Sequence, residues 1–183
     1  MRVIAGTAGG LTLHVPRSDL RPTMDKVRGA IFDSLRDVVP DARVLDLFAG
    51  SGALGIEALS RGAASVTFVE SDRRAVESIQ RNLATTRLSG TVHGGDVFSF
   101  VDRLAGPAAF DLVFADPPYA HRPGERDFTP ELLTNTALQR TLSPDGIFIL
   151  EHLPGAELPL DDIWECFRQK RYGATAVAML RLR

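Results

Sequence analysis

The stretch RVLDLFAGSGALGIEALSRGA (43–63) decides the fold. Its first half, RVLDLFAG (43–50), is a continuous apolar run closing on a glycine turn, the pattern of a strand covered on both faces. LGIEALSRG (54–62) then reads as a short helix, with Leu54, Ala58 and Leu59 on one face and Gly62 as its stop. Strand, glycine turn and helix in that order open a βαβ unit.

Toward the C-terminus the alternation repeats. SVTFVE (65–70) is a second strand, and Ser71 or Asp72 caps a long helix on which Val76, Ile79 and Leu83 recur at helical spacing. A weaker strand at 91–94 leads to a short helix after Asp96. FDLVFADPPY (110–119) is a fourth strand running into a stiff turn. Residues 129–141 read as one helix and GIFILEH (146–152) as a fifth strand. The tail 164–183 reads as two strands joined near Gly173, which add one antiparallel strand to a parallel sheet. The fold class is α/β: a doubly wound, mostly parallel, Rossmann-like sheet.

Toward the N-terminus the pattern changes. RVIAGTAGGLTLHV (2–15) alternates around Gly9-Gly10 like a β-hairpin, and Thr23 caps a helix carrying Val27, Ile31 and Leu35 inward. This piece (1–40) is too small to fold alone, so the 183 residues, 44% of them hydrophobic, form one domain with an appendage on a core at 41–183. No apolar run is long enough to span a membrane, and MRVIAGTAGG is unlike a signal peptide, so a cytoplasmic protein is expected. Cys166 alone permits no internal disulfide and reads as a small core residue. His14, His93, His121 and His152 lack metal-ligand spacing, so no metal is expected.

The net charge of −2 conceals a split. Residues 1–36 hold six basic and three acidic side chains, and residues 165–183 hold five basic and one acidic, which leaves the middle at −9. An acidic centre between basic ends suits a cation-binding pocket with phosphate-binding borders.

Gly50-Ser51-Gly52-Ala53-Leu54-Gly55 matches GxGxxG, which by itself suggests a dinucleotide. Asp46, four positions before Gly50, decides against that. A carboxylate there repels pyrophosphate but attracts the sulfonium and ammonium groups of S-adenosylmethionine. The plainer role for Asp46 is a cap on the turn. Glu70, at the end of the second strand, stands where an acid accepts from both ribose hydroxyls, which supports adenosine without choosing the cofactor. Asp96 has two equal readings, a helix N-cap or an acceptor for the adenine amine.

Asp116-Pro117-Pro118-Tyr119 carries the chemistry. In a doubly wound sheet the first and fourth strands are neighbours, so this turn faces the glycine turn. An exocyclic base amine is a poor nucleophile because its lone pair is delocalised into the ring. The Asp116 carboxylate and the Pro117 carbonyl, held stiff by two prolines, accept from the amine hydrogens, localise that pair and aim it. Tyr119 offers a face on which the base stacks.

VLDLFAGSGALGIEALSRGA, VES and ADPPY, with RVIAG and the RPT-x-x-KVR-x-x-IF stretch, resemble the small bacterial 16S ribosomal RNA guanine-N2 methyltransferases over essentially the whole chain. The resemblance implies a class I methyltransferase fold and transfer of a methyl group to the N2 of one guanine in the small ribosomal subunit; a monomer is expected. It makes Asp46, Phe48, Gly50, Ser51, Gly52, Glu70, Ser71 and Asp96 cofactor positions and Asp116 to Tyr119 the catalytic turn. The basic ends then become an RNA surface: Arg2, Arg21, Lys26 and Arg28 on one side, with Arg17 beside them, and Lys170 and Arg171 on the other. The loop AHRPGERDF (120–128) departs from the family pattern. A DNA adenine-N6 methyltransferase is the rival enzyme, and 183 residues leave little room for its target-recognition region. A protein-glutamine methyltransferase resembles an Asn-Pro-Pro-Tyr turn instead, and an NAD reductase lacks an acid for hydride transfer. An idle RNA-binding assembly factor has no need of Asp116-Pro117-Pro118-Tyr119.

Overall fold

Strand β1 (Arg43–Leu47) is buried at every position after Arg43, which is why its sequence shows no polar alternation. It pairs in parallel with β2 (Ser65–Glu70) on one side and β4 (Phe110–Ala115) on the other. β3 (Thr91–Gly94) lies beyond β2, and β5 (Leu142–His152) beyond β4, both parallel. The tail supplies β6 (Trp164–Tyr172) and β7 (Thr175–Leu182), giving the order β3-β2-β1-β4-β5-β7-β6. Only β7 runs against its neighbours. The strand order reverses between β1 and β4, so the C-terminal ends of these two strands border one crevice. The computed structural model describes residues 1–15, 24–104, 110–120, 122 and 124–183.

Helices cover both faces. α1 (Met24–Leu35), α2 (Ala53–Ser60) and α3 (Arg73–Thr86) bring Ile31, Ile56 and Ile79 onto Phe68 and Phe114. α4 (Val97–Arg103), α5 (Phe128–Thr134) and α6 (Thr136–Thr141) pack Val101, Leu132 and Leu138 on the opposite face, against Val113 and Phe148. Fully burying each such side chain contributes about 1.5–3 kcal/mol.

Several expectations need correcting. The segment 129–141 is two helices, because Asn135 adopts an extended backbone and its side chain accepts from Leu138 N, capping a new start. The fifth strand begins at Leu142, four residues early. Leu54 and Leu59 are only half-buried, whereas Ile56 and Ala58 are fully buried. The inward face of α2 therefore centres on Ile56. Cys166 is half-buried at the margin of the core, its thiol pushed up by desolvation. The N-terminal segment, by contrast, does form its hairpin: an antiparallel bridge joins Arg2 and Thr12, Val3 N donates to the Leu11 carbonyl and Gly10 N to the Val3 carbonyl, each at 2.9 Å, and Leu13 N donates to the Met1 carbonyl at 3.1 Å.

What holds that segment is α2. Glu57, fully buried, accepts from Ile4 N at 2.7 Å and Ala5 N at 3.1 Å, and pairs with Arg61 at 2.7 Å. At the next turn Thr7 N donates to the Ser60 carbonyl and Ala8 N to its hydroxyl. Gly6 makes the approach possible: its φ is +81°, and a Cβ there would lie 1.8 Å from the Ser60 carbonyl oxygen. The short repeat of small residues in RVIAGTAGG is thus a seat for the end of α2.

Candidate active site

Five carboxylates stand at or just beyond the C-terminal ends of the five parallel strands: Asp46, Glu70, Asp96, Asp116 and Glu151. All five line one cavity of about 410 Å³. Each acid follows from its strand, since a buried apolar run must surface into polar residues, and in this sheet it surfaces on the side where the order reverses.

The glycine turn forms the floor. Gly52 caps α2 with φ +77°, a left-handed conformation that glycine adopts without strain. Asp46, 1% exposed, reaches across and accepts from Gly55 N at 2.9 Å, satisfying one free donor of the helix start. The cap and the cavity wall are thus one carboxylate. Burial pushes its carboxyl up to about 8; the Gly55 N–H opposes this, and the nearby charge of Glu70 adds to it. Glu70 bridges two backbones, accepting from Gly50 N and Asp72 N, each at 2.8 Å. Asn82 of α3 donates to the Ser51 carbonyl at 2.9 Å. Phe48 is bent back with φ +55° and meets Phe128 edge-on at 5.2 Å.

At the far end, Asp96 is exposed and caps α4 by accepting from Ser99 N at 2.8 Å, and it also lines the cavity. The N-cap reading is the one the hydrogen bond shows. Ser71 lines the same wall, exposed.

The second turn stands opposite. Asp116 is half-buried, Pro117 buried and Pro118 exposed, and all three line the cavity with Tyr119. The Tyr119 hydroxyl donates to Glu151 Oε1 at 3.1 Å and lies 2.5 Å from Thr175 Oγ1. Burial, with the neighbouring charge of Glu151, raises the Tyr119 hydroxyl well above the ordinary tyrosine range, so it remains a donor. Asp116 and Glu151 also border a smaller recess toward α1.

Sequence reading missed Glu151, Thr175, Arg126 and Phe128. Glu151 had a signal, the same as Glu70: an acid closing an apolar strand. Arg126 lies in the segment 120–128 that departs from the family pattern, and Phe128 at its end opens α5. The Arg126 guanidinium rests 4.9 Å over Phe98 and 4.6 Å over Phe128, and pairs with Glu131.

The expected RNA residues divide. Arg2, Lys26, Lys170 and Arg171 are exposed, the last two on β6, the open edge of the sheet. Arg28 is corrected: it is 3% exposed, bonds the Arg2 carbonyl and Asp25, and sits 3.6 Å from Glu57. A buried guanidinium so engaged ties α1 to the N-terminal strand and offers nothing to a phosphate. Arg17, Arg21 and the Thr23 cap lie outside the described residues, as do His121 and Pro123 of the loop. Among the described residues no group of three His, Cys, Asp or Glu is placed to hold a metal ion, and no helix is long and apolar enough to cross a membrane.

The donor set tests the cofactor. A dinucleotide would set two phosphates among five carboxylates, a repulsive arrangement. S-adenosylmethionine brings a sulfonium, an ammonium and two ribose hydroxyls, all of which favour acceptors. The residues fit it.

Comparison with known proteins agrees. The family described as Conserved hypothetical protein 95 matches residues 1–181. The chain is 38% identical over 179 residues to the ribosomal RNA small subunit methyltransferase D of Escherichia coli, covering 96% of this chain and 87% of that protein. With the protein of that name from Haemophilus influenzae it shares 32% over 177 residues, 94% and 89% of the two chains. The solved structure of the Escherichia coli protein yhhF superposes with a TM-score of 0.81 at 36% identity, over 100% of this chain and 97% of the other. Since the match takes in the N-terminal seat on α2, both turns and the closing hairpin, the chain belongs to the Conserved hypothetical protein 95 family and is a methyltransferase.

Proposed function

We propose that the chain transfers a methyl group from S-adenosylmethionine to the exocyclic N2 amine of one guanine in 16S ribosomal RNA of the small subunit. The observation that carries this reading is the placement of Asp116-Pro117-Pro118-Tyr119 across one cavity from Asp46 and Glu70. The names of the Escherichia coli and Haemophilus influenzae relatives support the RNA.

S-adenosylmethionine, when bound, supplies an electrophilic methyl group on a sulfonium. The chain supplies position and field. Glu70 accepts from the ribose hydroxyls, Asp96 from the adenine amine, and Phe48, Gly50, Ser51 and Ser71 form the adjoining walls, with Gly52 buried behind them as the turn into α2. Asp46 lends negative charge beside the glycine turn. Asp116 and the Pro117 carbonyl accept from the N2 hydrogens, and Asp116 receives the proton that the methylated amine sheds. Tyr119 stacks on the base. The base leaves its helical stack to enter, so the target lies where RNA is unpaired. Arg2, Lys26, Lys170 and Arg171 hold flanking phosphates. The scheme requires neither a metal nor a second subunit.

The test is genetic. Small-subunit RNA from cells lacking the protein should lose one N2-methylguanosine, regained when the gene is restored. An unchanged methylation map would refute the reading.

A further inference from the structure

The recess beside the Asp-Pro-Pro-Tyr turn is a second compartment of the same site. Its volume is about 70 Å³, and it shares Leu54, Asp116 and Glu151 with the large cavity. Val27 and Ile31 of α1 line it on one side, Tyr172 and Thr175 of the β6–β7 hairpin on another. Apart from Arg28, already engaged by Asp25 and the Arg2 carbonyl, the charged groups on its wall are Asp116 and Glu151.

Glu151 is held in place. The Tyr119 hydroxyl at 3.1 Å and the Thr175 hydroxyl at 2.8 Å both fall on Oε1. Among the described residues, Oε2 makes no hydrogen bond. Two anchors on one oxygen fix the carboxylate and leave the other oxygen for a ligand. The arrangement also couples Glu151 to the catalytic turn, because Tyr119 belongs to both.

We propose that Glu151 is the residue that identifies the target base as guanine, by accepting its N1–H while Asp116 accepts from the neighbouring N2 amine. This rests on the guanine-N2 reading above. Guanine presents N1–H and the N2 amine side by side, two donors in a row, and the recess presents two carboxylates bordering one space. Adenine presents its amine beside an unprotonated N1, and cytosine its amine beside an unprotonated N3. Either lone pair set against Glu151 leaves Oε2 desolvated with no donor, which is costly. Val27, Ile31 and Leu54 give the ring an apolar wall and select nothing by themselves.

The contrary role for Glu151 is only to anchor Tyr119, and base analogues separate the two. Small subunits reconstituted with guanine or 2-aminopurine at the mapped target would be compared by kcat/KM. 2-Aminopurine keeps the N2 amine and lacks N1–H. The native enzyme should prefer guanine by on the order of 100-fold or more, as sites built to bond one donor do. In Glu151→Gln the amide donates to the bare N1, so the preference should collapse to roughly tenfold or less. An anchor alone would lower both rates together, so an unchanged ratio overturns the proposal. If Glu151→Gln does not fold, Glu151→Asp, which withdraws the charge by one methylene, is read by the same ratio. It should lose about tenfold of the preference, and an unchanged ratio again overturns the proposal. Label appearing on an atom other than N2 in the native reaction would sink the functional reading, and this one with it, whatever the ratio.

Discussion

At the residue scale, the legible positions were those marked by local chemistry. Asp116 stands beside Pro117, Asp46 four positions before Gly50, and Glu70 closes an apolar strand, and all three line the cavity. Glu151 stayed hidden because its hydroxyl partners come from 32 and 24 residues away. Arg28 was misread because charge type says nothing about exposure. Two predictions follow from the carboxylates. Asp116→Ala should lower kcat by about 100- to 1,000-fold, the usual cost of one positioned polar group, with S-adenosylmethionine affinity by calorimetry almost unchanged; a collapsed affinity would reassign Asp116 to the cofactor. Glu70→Ala should weaken cofactor binding by about 1.5–3 kcal/mol, and an unaltered dissociation constant would remove it from the site. Asp46 adds a pH signature. Its folded carboxyl, near 8, lies above the unfolded value of about 4. Its contribution to stability is therefore complete below about pH 4 and lost as pH rises toward 8. A cationic ligand favours the ionised form, so cofactor binding at pH 7 should release a proton. Calorimetry in buffers of different ionisation enthalpy measures this, and Asp46→Asn should abolish the release.

At the element scale, the sequence pattern identified all seven strands and the cover of both faces, most plainly at β1, β2, β4 and β5, because buried parallel strands are nearly unbroken apolar runs. Boundaries were lost where a side chain overrode the pattern. Asn135 splits a helix that hydrophobic spacing alone would continue. The N-terminal alternation promised a hairpin, and Val3, Gly10 and Leu13 do donate across it, but the donors at Ile4, Ala5, Thr7 and Ala8 go to Glu57 and Ser60 of α2, contacts more than fifty residues away in sequence. Glu57 is then the element most exposed to mutation. Glu57→Ala takes the carboxylate from Arg61 and from two backbone N–H groups and leaves Arg28 to Asp25 and the Arg2 carbonyl, and removing one partner of a buried ion pair costs about 3–5 kcal/mol. For a chain of this size that is a fall of roughly 6–20 °C in Tm, measurable by calorimetry. A shift below about 2 °C would mean the N-terminal segment is held elsewhere.

At the scale of the whole molecule, the charge split acquires a location. Five of the acidic residues of the middle gather at the strand ends, and part of the basic C-terminus lies along the exposed edge strand β6, where Arg168, Lys170 and Arg171 face outward. Composition revealed the split but not this edge, since strand order comes from long-range pairing. Lys170→Glu with Arg171→Glu should weaken small-subunit binding and reduce its salt slope by about 0.7 per lost contact, leaving cofactor affinity intact. Parallel salt lines of equal affinity would place recognition on another face. The central claim is that this cavity methylates guanine N2 through the Asp116 turn. Its most direct measurement uses purified enzyme, tritium-methyl S-adenosylmethionine and small subunits from cells lacking the protein, followed by nucleoside analysis of the RNA. The account predicts one labelled N2-methylguanosine per particle with the native enzyme and almost none with Asp116→Ala; label in any other nucleoside, or equal label from the two enzymes, would contradict it.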